Sequence, residues 1–252
     1  MVRLFTEEVS VLKLRIKYTK TGVLRFIGHL DIMRLFQKAI RRAKLNVSYS
    51  KGFSPHQVIS FAAPMPLGMT SEGEYFDGEF DLVTSTADMM QRLNDTLPEG
   101  IVVLDIVALP DDAKPSMSIV SASDYIIFRN EECEEDIISR LIEKIDDMNA
   151  MPVVEVMKKT KTKEELTNIK PGIYVLHEYV KQSPYTEVYD KAIYMMLASG
   201  SILNLKPELV IEALCKQAGI TYNRYNYRVH RLETYMGERT SLQSLGTVGK
   251  HF

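Results

Sequence analysis

A chain of 252 residues with 45% apolar and 25% charged side chains and a net charge of −2 has a globular composition, with material for one large core or two. No apolar run reaches about 18 residues, and Met1–Glu8 lacks the apolar stretch of a secretory signal. The two cysteines, Cys133 and Cys215, stand far apart, which excludes a disulfide framework and a cysteine-built zinc site or iron–sulfur cluster from this chain alone. The expectation is a cytoplasmic protein with no membrane contact and no cofactor or metal of its own.

The pattern from the N-terminus predicts a strand first. Leu12, Leu14, Ile16 and Tyr18 alternate with Lys13, Arg15 and Lys17, as in a half-buried strand with a basic outer face. A turn at Thr21-Gly22 and a short run from Val23 to Ile27 follow. Gly28 then opens a helix to about Lys44, with Leu30, Met33, Phe36, Ile40 and Ala43 as its apolar positions. Ser50–Pro55 reads as a loop. Val58–Ala62 and Glu74–Phe80 read as strands, Ala87, Met90, Leu93 and Leu97 as a helix, and Ile101–Leu109 as a strand. Strand, helix, strand, strand, helix, strand is the split βαβ, or ferredoxin-like, plan.

Asp111–Met117 reads as a linker, and a second unit repeats the order. Its expected parts are a strand at Tyr125–Phe128 and an acidic helix striped by Ile138, Leu141, Ile142 and Ile145. Strands follow at Val153–Met157, Ile173–Val180 and Glu187–Leu197, then a helix opened by Pro207 and a last strand at Thr221–Arg231. The expected class is α+β, as tandem ferredoxin-like lobes with antiparallel sheets. Residues 1–112 form a basic lobe, 113–236 a second α+β lobe, and 237–252 a loose tail.

Charge is unevenly spread. Between Lys13 and Lys51 there are eleven Lys or Arg and one acid, Asp31, whereas Glu131–Asp147 holds eight acids and two bases. A basic segment in an acidic protein points to a localised anionic partner. Three constellations fit such a partner. Around Arg25, Gly28, His29 and Arg34, the start of a basic helix could hold a phosphate, although Asp31 also suits a plain helix cap. In Tyr49–His56, Lys51, Gly52, Ser54 and His56 could meet phosphate while Tyr49 or Phe53 stacks on a base; an ordinary loop with a buried Phe53 reads equally well. Tyr222, Arg224, Asn226, Arg228 and His230 on one face of the last strand suit single-stranded RNA, and equally a charged edge strand. The phosphate-binding set is therefore Lys13, Arg15, Lys17, Arg25, His29, Arg34, Lys38, Arg41, Arg42, Lys51, Gly52, Ser54, His56, Arg224 and Arg228. The chain has no G-x-S-x-G, no phosphate-binding P-loop and no H-E-x-x-H; His29 and His56 are the weak catalytic candidates.

The string from Arg25 to Phe80, RFIGHLDIMRLFQKAIRRAKLNVSYSKGFSPHQVISFAAPMPLGMTSEGEYFDGEF, closely resembles the radical SAM-linked (radical SAM-associated) bacterial domain family of unknown function. NIKPGIYVL from Asn168 and NLKPELVIEAL from Asn204 resemble its second half, and Gln57 stands where the family usually has proline. The resemblance implies a radical SAM protein encoded nearby as partner and a link to RNA metabolism; it implies no activity and no catalytic residue. The expected function is an RNA-binding accessory module working with a separate radical SAM enzyme. The alternatives are a metal-independent endoribonuclease using His29 and His56, and a protein-interaction module without RNA.

Overall fold

A computed structural model of the chain describes residues 11–133, 136–159, 164–179 and 191–252. It is a mixed α+β protein with mostly antiparallel strands, divided into two compact units. The first unit takes the chain up to Leu67, Gly73–Ile119 and Leu245–Phe252; the second takes Gly68–Glu72 and Val120–Ser244.

In the first unit β1 (Leu12–Lys20) is followed by a 3₁₀ turn (Gly22–Phe26) that takes in most of the Val23–Ile27 run. Helix α1 (His29–Arg42), β2 (Asn46–Val47), β3 (Ile59–Phe61), β4 (Thr70–Leu82), α2 (Thr86–Asn94), β5 (Val103–Ala108) and the short α3 (Ser116–Ile119) follow. The hydrogen-bonded order is β5–β1–β4, with β2 and β3 pairing antiparallel with β4. Leu14, Ile16 and Tyr18 of β1 are buried against Phe36 and Ile40 of α1, Met89 and Leu93 of α2, and Phe76 and Phe80 of β4. Tyr18, Phe36, Phe61 and Phe76 form one aromatic cluster, with centroid separations of 4.7 Å for Tyr18–Phe36 and 4.8 Å for Phe36–Phe76.

The buried side of α1 is Ile32, Phe36, Ala39 and Ile40, at helical spacing. Leu30, expected inside, is 64% exposed, since helical spacing puts it on the far side of α1 from Ile32 and Ala39. The helix ends in a double reverse bond, Leu45 N–H to Ile40 O and Lys44 N–H to Arg41 O, with Lys44 at φ 52° where glycine is usual. The Arg92 guanidinium of α2 donates to Ala43 O and Lys44 O, placing a positive charge at the negative end of α1.

In the second unit β6 (Val120–Arg129) precedes α4 (Ile137–Ile142) and α5 (Ile145–Ala150), two helices where the sequence suggests one. A hairpin of β7 (Glu155–Lys159) and β8 (Glu164–Asn168) follows, then β9 (Ile173–Glu178), β10 (Ile193–Ala198), α6 (Pro207–Gln217), β11 (Tyr227–Met236) and β12 (Gln243–Ser244). The order is β11–β6–β10–β9, all antiparallel; Thr70 and Ser71 at the start of β4 pair in parallel with His230 and Arg231. The expected strand residues Val180 and Glu187–Asp190 lie outside the described residues.

Two expectations about connections are corrected. The linker at Asp111–Met117 is packed down within the first unit, since Ser116 N–H donates to Asp77 Oδ2 at 2.7 Å and Lys114 O accepts from Arg15. The boundary falls after Ile119 rather than at residue 112. The expected loose tail carries β12, a 3₁₀ turn (Leu245–Val248) with Leu245 fully buried, and a bridge from Lys250 to Ala108. Thr86 and Phe252 exchange hydrogen bonds that hold the last residue to the start of α2.

Arg15 and Asp77 form a buried pair on adjacent strands, with Arg15 Nε to Asp77 Oδ1 at 2.7 Å. Replacing Asp77 with alanine leaves that guanidinium buried without its counter-charge, and the expected loss is about 3–5 kcal/mol of stability. Arg34→Ala, on an exposed helix face, is expected to stay within about 0.5 kcal/mol of the parent. Urea unfolding of both variants beside the parent checks the contrast.

Candidate nucleic-acid interface

The outer face of α1 carries four exposed bases. Arg34, Lys38, Arg41 and Arg42 fall at i, i+4, i+7 and i+8 and are all exposed, opposite the buried stripe of Ile32, Phe36, Ala39 and Ile40. Asp31 is the one acid in the helix and meets Arg34 at 3.5 Å, with both side chains mostly in solvent. Asp31 therefore does not cap the helix: the N-cap is Gly28, which supplies no side chain.

The Tyr49–His56 loop is tied to this helix. Gln57 at its base donates to Gln37 O in α1 at 3.2 Å. The loop is closed by Ser50 N–H to His56 O at 2.8 Å and by a Tyr49–Gln57 bridge. The Ser50 hydroxyl meets His56 Nδ1 at 2.8 Å and accepts the His56 backbone N–H. Gly52 sits at φ +124°, a backbone state that side chains rarely adopt. Phe53, one reading of which was a buried anchor, stands fully in solvent at 112% relative exposure, between the exposed Lys51 and Ser54. Tyr49 is 51% exposed.

The other expected phosphate ligands divide. Arg15 is corrected: its side chain has no exposure and its donors go to Asp77, Leu245 O and Lys114 O, so it serves the fold and not a ligand. Lys17 is half-buried with its ammonium 5.8 Å from the centre of the Tyr75 ring. Lys13 is exposed and donates to Asp111 O. The Arg25 guanidinium lies 4.6 Å from the Phe26 ring, which is itself 62% exposed, making an amphipathic pair just before α1. His29 is half-buried and meets the Phe61 ring edge-on at 5.4 Å, while His56 belongs to the loop and bonds Ser50. The two histidines sit in separate settings.

The third constellation is not a strand face. Asn223 accepts Tyr225 N–H and starts a 3₁₀ turn at Arg224–Asn226, so Tyr222, Arg224 and Asn226 precede β11. Arg224 is exposed over the Tyr225 ring at 5.5 Å. Arg228 donates to Asn130 Oδ1 at 2.9 Å, and His230 is buried with Thr70 at 2.8 Å from its Nδ1.

Sequence reasoning missed Asp124 on β6. Its carboxylate is buried and accepts from the Tyr194 and Tyr235 hydroxyls at 3.0 Å each and from Glu233 N–H at 2.7 Å. Burial pushes its pKa up to about 6, against the lowering effect of those three bonds. Nothing in the local sequence marks it, because the tyrosines come from β10 and β11. Among the described residues no group of three His, Cys, Asp or Glu is placed to hold a metal ion, and no helix is long and apolar enough to cross a membrane.

Residues 13–207 match the model of a family described as an uncharacterized protein conserved in bacteria (DUF2344). The chain belongs to this family. The match covers the basic helix, the Phe53 loop and Asp124 of the second unit; Tyr222–Tyr235 lie beyond it. No curated protein matches the chain in sequence. Among solved structures, it is similar to a chain in "Crystal Structure of a Cbf5-Nop10-Gar1 Complex", at 10% identity and a TM-score of 0.42, covering 88% of this chain and 48% of that one. The chain thus spans about half the length of that relative. It is also similar to an unknown protein from Galdieria sulphuraria at 10% identity and a TM-score of 0.26, with 89% and 98% covered.

Asp124 carries a pH signature. Its folded-state pKa lies above its unfolded value of 3.8, so the native state holds the proton more tightly. The stability this contributes is complete below about pH 4 and is lost as pH rises through about 6. Asp124→Asn is expected to flatten that part of a stability-against-pH curve, measured by urea unfolding between pH 4 and 7.

Proposed function

We propose that the chain is an RNA-binding accessory module, with α1 and the Phe53 loop as its contact surface. The observation that carries the reading is the one-sided stripe of Arg34, Lys38, Arg41 and Arg42. Arg34–Lys38 and Lys38–Arg42 are like-charge pairs at i, i+4, and Lys38–Arg41 is one at i, i+3. Each such pair costs a helix roughly a few tenths of a kcal/mol, so folding alone would disfavour the arrangement. A polyanion reverses the sign: it gains from each cation and releases counterions. Phe53 supports the same reading, since an aromatic ring held in solvent on a closed loop is a platform for an unstacked base.

The partner is proposed as a separate radical SAM protein, on the strength of the sequence resemblance; this chain would hold and present the RNA. We also read the two units as tandem ferredoxin-like lobes. Taking the two sheet-edge strands β3 and β9 as second in each unit, both follow the order fourth, first, third, second, which supports that reading.

The test is RNA affinity against salt for the parent and for Arg34→Ala/Lys38→Ala/Arg41→Ala. Losing three phosphate contacts should flatten the log–log slope by about 2, at roughly 0.7 per contact for single strands. An unchanged slope sinks the assignment of α1, and cleavage products without metal or partner would turn the reading to an endoribonuclease.

A further inference from the structure

The face of the first sheet away from α1 holds a cavity of about 290 Å³. That is near the lower end of small-molecule pockets, roughly 300–1,000 Å³, and suits one ring system rather than a length of chain. It is formed by β3 and β4 on one side and the segment from Leu109 to Pro115 on the other. Val58, Leu109 and Pro115 give it apolar walls, which suit the faces of a flat ring.

Its two carboxylates differ in availability. Asp77 is occupied by Arg15 and Ser116 N–H. Glu79 lies two residues further along β4, on the same face by strand alternation, and its side chain accepts no hydrogen bond among the described residues. A half-buried carboxylate beside apolar walls calls for N–H donors from a ligand. Two cations flank it, since Lys13 and Lys114 line the cavity and are exposed; the exposed His56 lines it as well. The cavity thus combines an acceptor, flat apolar walls and cations, which matches a nucleotide with its base inside and its phosphate outside. His56 belongs to the same closed loop that carries Phe53, so the cavity adjoins the proposed RNA surface.

Resting on the RNA-binding reading, we propose that this cavity takes a single guanine base of the bound RNA, with Glu79 accepting from its N1–H and N2–H groups. Guanine presents two adjacent donors to one carboxylate. Cytosine and adenine present one amino group beside a ring acceptor, and uracil flanks its single N–H with two carbonyl oxygens that repel the charge. Selectivity therefore follows the order guanine first and uracil last.

The experiment uses the full chain and end-labelled single-stranded heptamers, identical except for a central G, I, C, A or U, with affinity read by anisotropy. The G oligomer is expected to bind at least about fivefold more tightly than the U oligomer, as one good bidentate contact provides, with inosine between them because it lacks the N2 amino group. Glu79→Gln should remove the preference while leaving affinity for the U oligomer in place, and Lys114→Glu should weaken every oligomer. Circular dichroism and melting of both variants confirm folding; Glu79 makes no side-chain bond whose loss would unfold it. Equal affinity of the parent for all five oligomers, or a preference that survives in Glu79→Gln, overturns the guanine site and leaves the RNA reading standing. Failure of the parent to bind any oligomer overturns both.

Discussion

The first unit is organised around the Arg15 guanidinium. It forms a two-pronged pair with Asp77 on the neighbouring strand, Nε to Oδ1 at 2.7 Å and Nη2 to Oδ2 at 3.1 Å, and it donates to Leu245 O and Lys114 O. Asp77 in turn accepts Ser116 N–H. One ion pair therefore binds β1, β4, the segment after β5 and the C-terminal segment. An unpaired buried guanidinium costs several kcal/mol, so each of these chain pieces is held to the position that satisfies it. Arginine suits the task because its donors form a rigid planar fork, which a lysine could not supply.

That pair also sets where a ligand can bind. By closing over the face opposite α1, it takes Arg15 out of the electrostatic surface and leaves the Glu79 cavity beside it. The exposed bases Arg34, Lys38, Arg41 and Arg42 of α1 and Lys51 of the loop are joined through Gln57 and Gln37. Surface ion pairs contribute little to stability. The exposed Asp31–Arg34 pair is therefore a small term, and the stripe has no folding role large enough to account for it.

Much of the first unit was legible in the sequence because its signals are local. Alternation from Leu12 to Tyr18 marks β1, and the order of elements follows from the turns. Alternation says which residues share a face but not whether that face is covered. The cover over Arg15 comes from residues 99 and 230 positions away, so a buried ion pair read as a phosphate ligand. The C-terminal segment lacks periodicity because much of its anchoring is through backbone groups, such as the Lys250–Ala108 bridge. Tyr225–Arg228 alternates tyrosine with polar residues, so the strand reads as starting early, and only the Asn223 side-chain bond to Tyr225 N–H reveals the turn. Of the candidate site, α1 was legible in composition, whereas the exposure of Phe53 and the free carboxylate of Glu79 depend on packing that no local pattern encodes.

The central claim is that RNA lies on α1 and the Phe53 loop. Ultraviolet cross-linking of the full chain to uniformly labelled single-stranded RNA, followed by peptide mapping, tests it most directly. The account predicts cross-links between Arg25 and His56, with Phe53 as a principal site. Cross-links confined to Val120–Ser244, or none in the presence of saturating RNA, would contradict it.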